Sequence, residues 1–479
     1  MKISSFLCWP FMTLSGASAL SFQTRDTPAV ISFPLQLRSN SNQFQKPGDT
    51  VALPAGFRDN VTAPIFICIV ALGTPPQQVE VVLDTSHSLL VVTSSSSELC
   101  ASTPLGCAPP GSSNATSLGS FNASASSTYK STGEQFNITA LEKGNLSGDL
   151  VQDQLTLGTA TVDMTFGLED LSANYLLGIG YSLNNTYTSL PQALLESRQI
   201  NSAAYSLWME GQNGTVLFVG VNTAKYTGEL YTMSIPAVSG IHYLPTVLVT
   251  NVSLQESSSP ATLTTSGLPA YMIVNSAAPW TYLPEPLLAQ IYQKVGAEWD
   301  DIVGAGLLNN CSTALASFFI TFSFDSFNIS LPLSELSRPL QDNLDTCILG
   351  LAPIGEGDSA ILGGSFLRSV YSVFDLSNNE ISFARRNPQP GPDNILEIGN
   401  GSSSAIPGAV SVSPATTVTA AVPTIFQQPS GVWPLTTSTS AQTSSSSTPT
   451  GKSAASFSPS RNKNALLVIL FNTCFWFVL

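Results

Sequence analysis

Short runs of strand-forming residues, broken every few positions by Gly, Asn, Ser and Pro, fill the middle of this chain. The pattern predicts β-structure with few helices. One run, Val81–Val92, reads V-V-L-D-T-S-H-S-L-L-V-V and sets a polar knot, Asp84-Thr85-Ser86-His87-Ser88, between two apolar arms. An Asp there sits in a tight turn between apolar walls, where its pKa can be tuned for acid–base chemistry. The second half of the chain repeats the pattern at Tyr271–Pro284: an apolar strand runs into a small polar turn, with Asn275 where the first copy has Asp84. Each copy is followed by an apolar pair and a glycine, Leu176-Leu177-Gly178 and Ile361-Leu362-Gly363. The repeat is far too long for a solenoid and indicates a duplicated β-domain with a cleft between the copies. Phe136–Thr139 and Asp149–Leu157 read as the arms of a hairpin with its tip at Glu142–Leu146. Leu190–Arg198 and Glu285–Val295 are the helix candidates, the second with Pro286 early.

With these turns the chain resembles the pepsin family of aspartic endopeptidases, and most of all its cell-surface, GPI-anchored, yapsin-like fungal branch. Further landmarks in family order are Leu72-Gly-Thr-Pro-Pro-Gln-Gln-Val79, Ser147-Gly-Asp149, Leu176–Tyr181, Gly220 through Leu230, and Ile361–Arg368, so the resemblance covers roughly Ala63 to Arg386. It implies an all-β, bilobal fold of two duplicated β-domains, with lobes at 61–225 and 226–390. In that family each lobe gives one Asp, and the two carboxyls share a proton around a water. It places Asp84 as one dyad acid and Asn275 at the other dyad position. Thr85, Ser86, Ser88, Leu141, Ser276 and Ala277 would line the substrate cleft.

The resemblance also exposes departures. Asn275 can donate and accept hydrogen bonds but exchanges no proton at any working pH. The loss of one general acid/base is worth about 10² to 10⁴ in rate, and more where two groups act as a unit. The family's flap-tip Tyr falls on Leu141 and its Trp partner on Val91, so that hydrogen-bonded pair is missing. Its turn glycines are Ser86 and Ala277, which place side chains where substrate backbone would approach. A peptide-binding homologue with a degenerate dyad is therefore expected. The alternatives are an acid endopeptidase, rescued for instance by deamidation of Asn275 before Ser276, and a structural wall glycoprotein. His87 reads as a solvated or cleft-lining side chain; a Ser/His/Asp triad through it lacks anything to position a nucleophile. Asp375 reads as a structural turn acid.

Composition adds the setting. The chain has 479 residues, 43% of them hydrophobic, and a net charge of −14. So few cations give phosphates nothing to meet, which argues against nucleic acid as a partner. An acidic surface suits exposure to acid, and equally suits simple solubility. Residues 1–19 resemble a secretory signal, with Lys2, an apolar run and Ala17-Ser18-Ala19. Residues 20–60 would be a pro-segment in the family, though only Arg25, Arg38, Lys46 and Arg58 are basic and no Lys-Arg pair offers a processing site. Residues 391–452 are dominated by Ser, Thr, Pro, Ala and Val, and strands are expected to stop at Arg386 before this stalk. Residues 453–479 fit a GPI-attachment signal with Ser453 as the anchor and an uncharged tail from Ala465; a tail-anchor helix is the rival.

Of the seven cysteines, the family pairs Cys100 with Cys107 and Cys311 with Cys347, while Cys68 is left as a buried thiol. No cysteines have zinc-ligand spacing, and neither metal nor cofactor is implied. Eleven N-glycosylation sequons start at Asn60, Asn114, Asn122, Asn137, Asn145, Asn184, Asn213, Asn251, Asn310, Asn328 and Asn400. A monomer with peptide segments in its cleft and a GPI lipid at its end is the expected assembly.

Overall fold

The structure is a computed structural model. It describes residues 30–38, 65–102, 107–110, 118–140, 144–158, 160–170, 175–182, 186–210, 213–256, 259–261, 263, 266–309, 315, 317–340, 343–354, 359–399, 406–412 and 420–424. The expected signal segment, the GPI signal with Ser453, Leu141, Cys311 and the sequons at Asn60, Asn114, Asn184, Asn310 and Asn400 lie outside those residues.

Strands dominate, as the bilobal all-β expectation requires. A 14-stranded sheet carries the first lobe and the floor that joins the two halves. At its centre Ile65–Leu72 pairs antiparallel with Gln77–Asp84, which pairs parallel with Leu176–Gly178. Toward the other half, Ala204–Glu210 pairs with Val370–Asp375, which pairs with Glu380–Arg386, so residues far apart in sequence share one ladder. The second lobe has a five-stranded sheet built on Ala270–Val274 and Ile361–Leu362, and two four-stranded sheets. Alternation explains the strands: in Phe318–Ser323, Phe318, Ile320 and Phe322 are buried while the residues between them are half-exposed. One main apolar cluster runs through both halves.

The helix Glu285–Val295 matches its expectation: Pro286 sits in the first turn, Gly296 ends it at φ 75°, and Leu287, Leu288, Ile291, Tyr292 and Val295 face inward. The other helix is shorter than expected, Leu190–Glu196, because Ser197 caps it and Arg198 takes a left-handed φ of 59°. The hairpin arms Lys130–Ala140 and Gly144–Leu157 also differ from expectation. Ala140 pairs with Gly144, so Gly144–Leu146 belong to the strand rather than to a tip.

Two segments expected outside the fold belong to it. Ile31–Arg38, within the expected pro-segment, is a strand of the large sheet between Asn213–Phe218 and Ile65–Leu72, with Phe33 and Leu35 buried. Strands also continue past Arg386. Ile395–Glu397 pairs with Gly220–Asn222, and Ala409–Ser411 pairs parallel with Tyr226–Ser234. The cause is a few apolar residues in polar sequence: Ile398 and Ile406 are buried in the core.

Cys100 and Cys107 form the expected disulfide, with Cα atoms 5.4 Å apart. Cys347 is disulfide-bonded. Cys68 is free and buried, and burial pushes its thiol pKa far up. Asp375 sits at a strand end and accepts from Asn378 N at 3.0 Å and Asn378 Nδ2 at 2.8 Å, the turn role expected of it.

Candidate active site

The site is made where the two repeated turns meet. Behind the first, Ile179 N donates to Asp84 O at 2.9 Å and Gly180 N to His87 O at 2.7 Å. A side chain at Gly178 would stand 2.5 Å from the Ser88 main chain, so only glycine lets this strand approach. Behind the second, Asn275 N donates to Leu362 O at 3.1 Å, and a Cβ on Gly363 would run into Trp280 O. The apolar pair and its glycine thus serve as the back wall of each turn.

Thr85 and Ser276 clamp the turns together. Thr85 Oγ1 donates to Val274 O at 2.7 Å, and Ser276 Oγ donates to Leu83 O at 2.8 Å. In return Ser276 N donates to Thr85 Oγ1 at 3.1 Å and Thr85 N to Ser276 Oγ at 3.2 Å. All four partners are buried, so each bond is made in a low-dielectric setting. The clamp carries Asp84 and Asn275, both with no solvent exposure, to the same point.

Asp84 is saturated with donors. Its Oδ1 accepts from Ser86 N at 2.7 Å, Ser86 Oγ at 2.7 Å and His87 N at 3.2 Å. Its Oδ2 faces His87 Nδ1 at 2.7 Å. Burial alone would raise the Asp84 pKa, but the charge and hydrogen bond of His87 and the bonds from Ser86 hold it below the usual carboxylate range. Burial alone would likewise lower His87; the carboxylate and the Thr139 carbonyl outweigh it and raise the imidazole pKa. His87 Nε2 donates to Thr139 O at 2.8 Å, since a carbonyl only accepts. Thr139 lies on the hairpin arm Lys130–Ala140, so one ring links Asp84 to the hairpin.

Asn275 uses both ends of its amide. Its Oδ1 accepts from Ala277 N at 2.7 Å, and its Nδ2 donates to Ser86 Oγ at 3.0 Å. Ser88 and Ala277 are half-buried at the rim. Val91 is fully buried with Phe136, Leu146 and Leu150, an apolar contact between turn and hairpin where the family's pair would be polar.

Sequence reasoning named Asp84, Ser86, Asn275 and Ala277, which the structure brings together, but it expected Thr85 and Ser276 to line the cleft, and both are buried in the clamp between the turns. It missed His87, expected to be solvated or merely cleft-lining. The reason is that the way the turn curls brings a side chain three positions on back to the carboxylate, which spacing along the chain does not reveal. A buried Asp followed by polar residues at the next turn positions was the available signal. The arrangement is nevertheless no Ser/His/Asp relay: Nδ1 faces both Asp84 and Ser86, and Nε2 is held by Thr139. Among the described residues no group of three or more His, Cys, Asp or Glu is placed to hold a metal.

Comparison with known proteins agrees with this geometry. The sequence profile of the family described as eukaryotic aspartyl protease matches residues 66–386. The probable aspartic-type endopeptidase opsB of Aspergillus oryzae is 38% identical over 436 residues, covering 85% of this chain and 86% of that protein. Its namesake in Aspergillus fumigatus is 35% identical, over 87% of this chain and 89% of that protein. Aspartic proteinase yapsin-3 of Saccharomyces cerevisiae is 31% identical, over 71% of this chain and 69% of that protein. The chain belongs to the eukaryotic aspartyl protease family, within its yapsin-like fungal branch.

Proposed function

We propose that the protein is a cell-surface, GPI-anchored pepsin-like homologue that binds peptide or wall-protein segments in its cleft with little or no hydrolysis. One observation carries the reading: opposite Asp84 stands an amide, and among the described residues the titrating group that touches Asp84 is His87. Aspartic catalysis needs two carboxyls close enough that one proton is shared, so that one side takes a proton from water while the other gives one to the carbonyl. Here Asp84 is paired with a cation and stays ionised into acid, which makes it a weak base. Asn275 offers a donor but no exchangeable proton. The clamp, the hairpin and the lobes that would hold an extended peptide remain in place. The apolar start, the Ser/Thr-rich stretch and the apolar tail of the sequence support the surface location.

An active endopeptidase is the second reading, favoured by the names borne by the relatives and by the intact Thr85–Ser276 clamp. Acid proteolysis of an unstructured protein by the full chain, beside Asp84→Ala, separates the two. The proposal expects both to be equally silent while a labelled peptide still binds. Cleavage by the wild type that Asp84→Ala abolishes would establish the enzyme instead.

A further inference from the structure

Ser86 occupies the turn position that the family gives to glycine, and its hydroxyl touches both dyad positions. Ser86 Oγ donates to Asp84 Oδ1 at 2.7 Å and accepts from Asn275 Nδ2 at 3.0 Å. A water activated from both sides would have to lie within hydrogen-bond distance of both side chains. That point already holds an oxygen tethered to the chain. We propose that Ser86 Oγ is a built-in stand-in for the nucleophilic water, and that Ser86 and His87 together lock the site whatever residue stands at position 275. The proposal rests on the reading of the cleft as non-hydrolytic and names the residues that keep it so.

The lock is firm for three reasons. Ser86 is only 6% exposed, so bulk water cannot reach the point without displacing it. Rotating the hydroxyl away would strand the buried Asn275 N–H and leave Asp84 Oδ1 with only the main-chain donors of Ser86 and His87. A tethered oxygen also has no translational freedom to lose, and so it outcompetes a free water for the same two partners. His87 adds the second half. It covers Asp84 Oδ2 from the outer side and, through Thr139 O, ties the carboxylate to the hairpin. Its ring takes up the acceptor that a proton from water or from a second acid would have to address.

The charges around His87 support the arrangement. Asp84 is the carboxylate in contact; Ser86 and Thr139 offer neutral oxygens from the turn and from the hairpin. Each hydrogen on the ring has an acceptor, and each acceptor on Asp84 has a donor.

This makes a prediction that a simple missing-acid account does not. Asn275→Asp restores two carboxyls, but the new acid still meets Ser86 Oγ instead of water. The test is acid proteolysis by the full chain and by Asn275→Asp, Ser86→Gly plus Asn275→Asp, and those two with His87→Ser. The double variant should exceed Asn275→Asp alone by about 10²-fold or more, and the triple variant further. Equal activity of the single and double variants would overturn the lock. Crystal structures of the wild type and Ser86→Gly supply a readout free of activity. A new ordered water within hydrogen-bond distance of Asp84 Oδ1 and Asn275 Nδ2, present only in Ser86→Gly, is expected. A water there in both structures, or in neither, would refute the proposal. A wild type that cleaves unaided would refute the non-hydrolytic reading, and the crystal comparison would still decide the role of Ser86.

Discussion

Asp84 Oδ2 and His87 Nδ1 stand 2.7 Å apart, with the carboxylate fully buried and the imidazole 12% exposed. A histidine thus occupies the outer side of the one acid that the site retains. The local geometry suits an ion pair, because Ser86 satisfies the other carboxylate oxygen and Thr139 satisfies the other ring nitrogen.

That pair should make stability depend on pH in a defined sense. Asp84 has a lowered native pKa, so its contribution is present above its unfolded value of about 3.9 and is lost as pH falls through the lower native one. His87 has a raised native pKa, so its contribution is present below its unfolded value of about 6.5 and is lost as pH rises through the higher native one. The pair is complete between about pH 4 and 6.5. His87→Gln should therefore cost about 3–5 kcal/mol in that window, the usual cost of removing one partner of a buried pair. Thermal melts of both proteins from acid to alkaline pH check this. The gap in Tm should narrow above neutrality, and a gap that widens there would contradict the pairing.

The Thr85–Ser276 clamp should be structural regardless of any chemistry. Thr85→Val keeps the shape but removes a donor to Val274 O and an acceptor for Ser276 N. Each buried group left unpaired costs about 1–3 kcal/mol, so chemical denaturation should show a loss of a few kcal/mol. Thr85→Ser should recover most of it, since the hydroxyl returns. A Thr85→Val protein as stable as wild type would mean that the turns are held by packing alone.

Ile31–Arg38 lies inside the segment where the family's pro-piece would fall, yet it is laced between two strands of the large sheet. Loss of the segment through Arg38 would unpair Asn213–Phe218 on one side and Ile65–Ile67 on the other, and would take Phe33 and Leu35 out of the core. Leu35, 1% exposed, should cost about 2–5 kcal/mol on replacement by Ala. The N-terminus of the mature protein, read by mass spectrometry, should fall before Ile31. A mature chain that starts after Arg38 and melts no lower would show that the strand is dispensable.

How much of this was legible in the sequence depends on how local the cause is. The two turns were readable because strand formers flank a polar knot twice over, and Pro286 marked the start of the helix. Thr85 and Ser276 came with the motif, but as cleft residues; that they clamp the turns from buried positions was not readable. The pairing of His87 with Asp84, and of Ser86 with Asn275, was not readable, since it depends on how the backbone curls at 84–88 and on what the distant second turn presents. Ile31–Arg38 and the strands beyond Arg386 were missed for a related reason. Their apolar residues are few, and only partners far along the chain, such as Asn213–Phe218 and Gly220–Asn222, reveal them as strands.

The amide at Asn275 should also be permanent, which closes the chemical route to a second acid. Deamidation proceeds when the following backbone nitrogen attacks the side-chain carbonyl carbon, and a small residue such as Ser276 would permit it in a flexible chain. In the folded protein Ser276 N is engaged by Thr85 Oγ1, and Asn275 Oδ1 and Nδ2 are held by Ala277 N and Ser86 Oγ. Asn275 has no solvent exposure, so no water reaches an intermediate. Attack would require breaking three buried hydrogen bonds at once, each worth about 0.5–1.5 kcal/mol net and more when a partner is left bare. The peptide spanning Tyr271–Pro284 should keep its amide mass during prolonged incubation of the native protein, while the unfolded chain gains about one dalton at this position. Equal rates in both states would show that the turn opens readily, and the rigid clamp inferred from Thr85 and Ser276 would have to be given up.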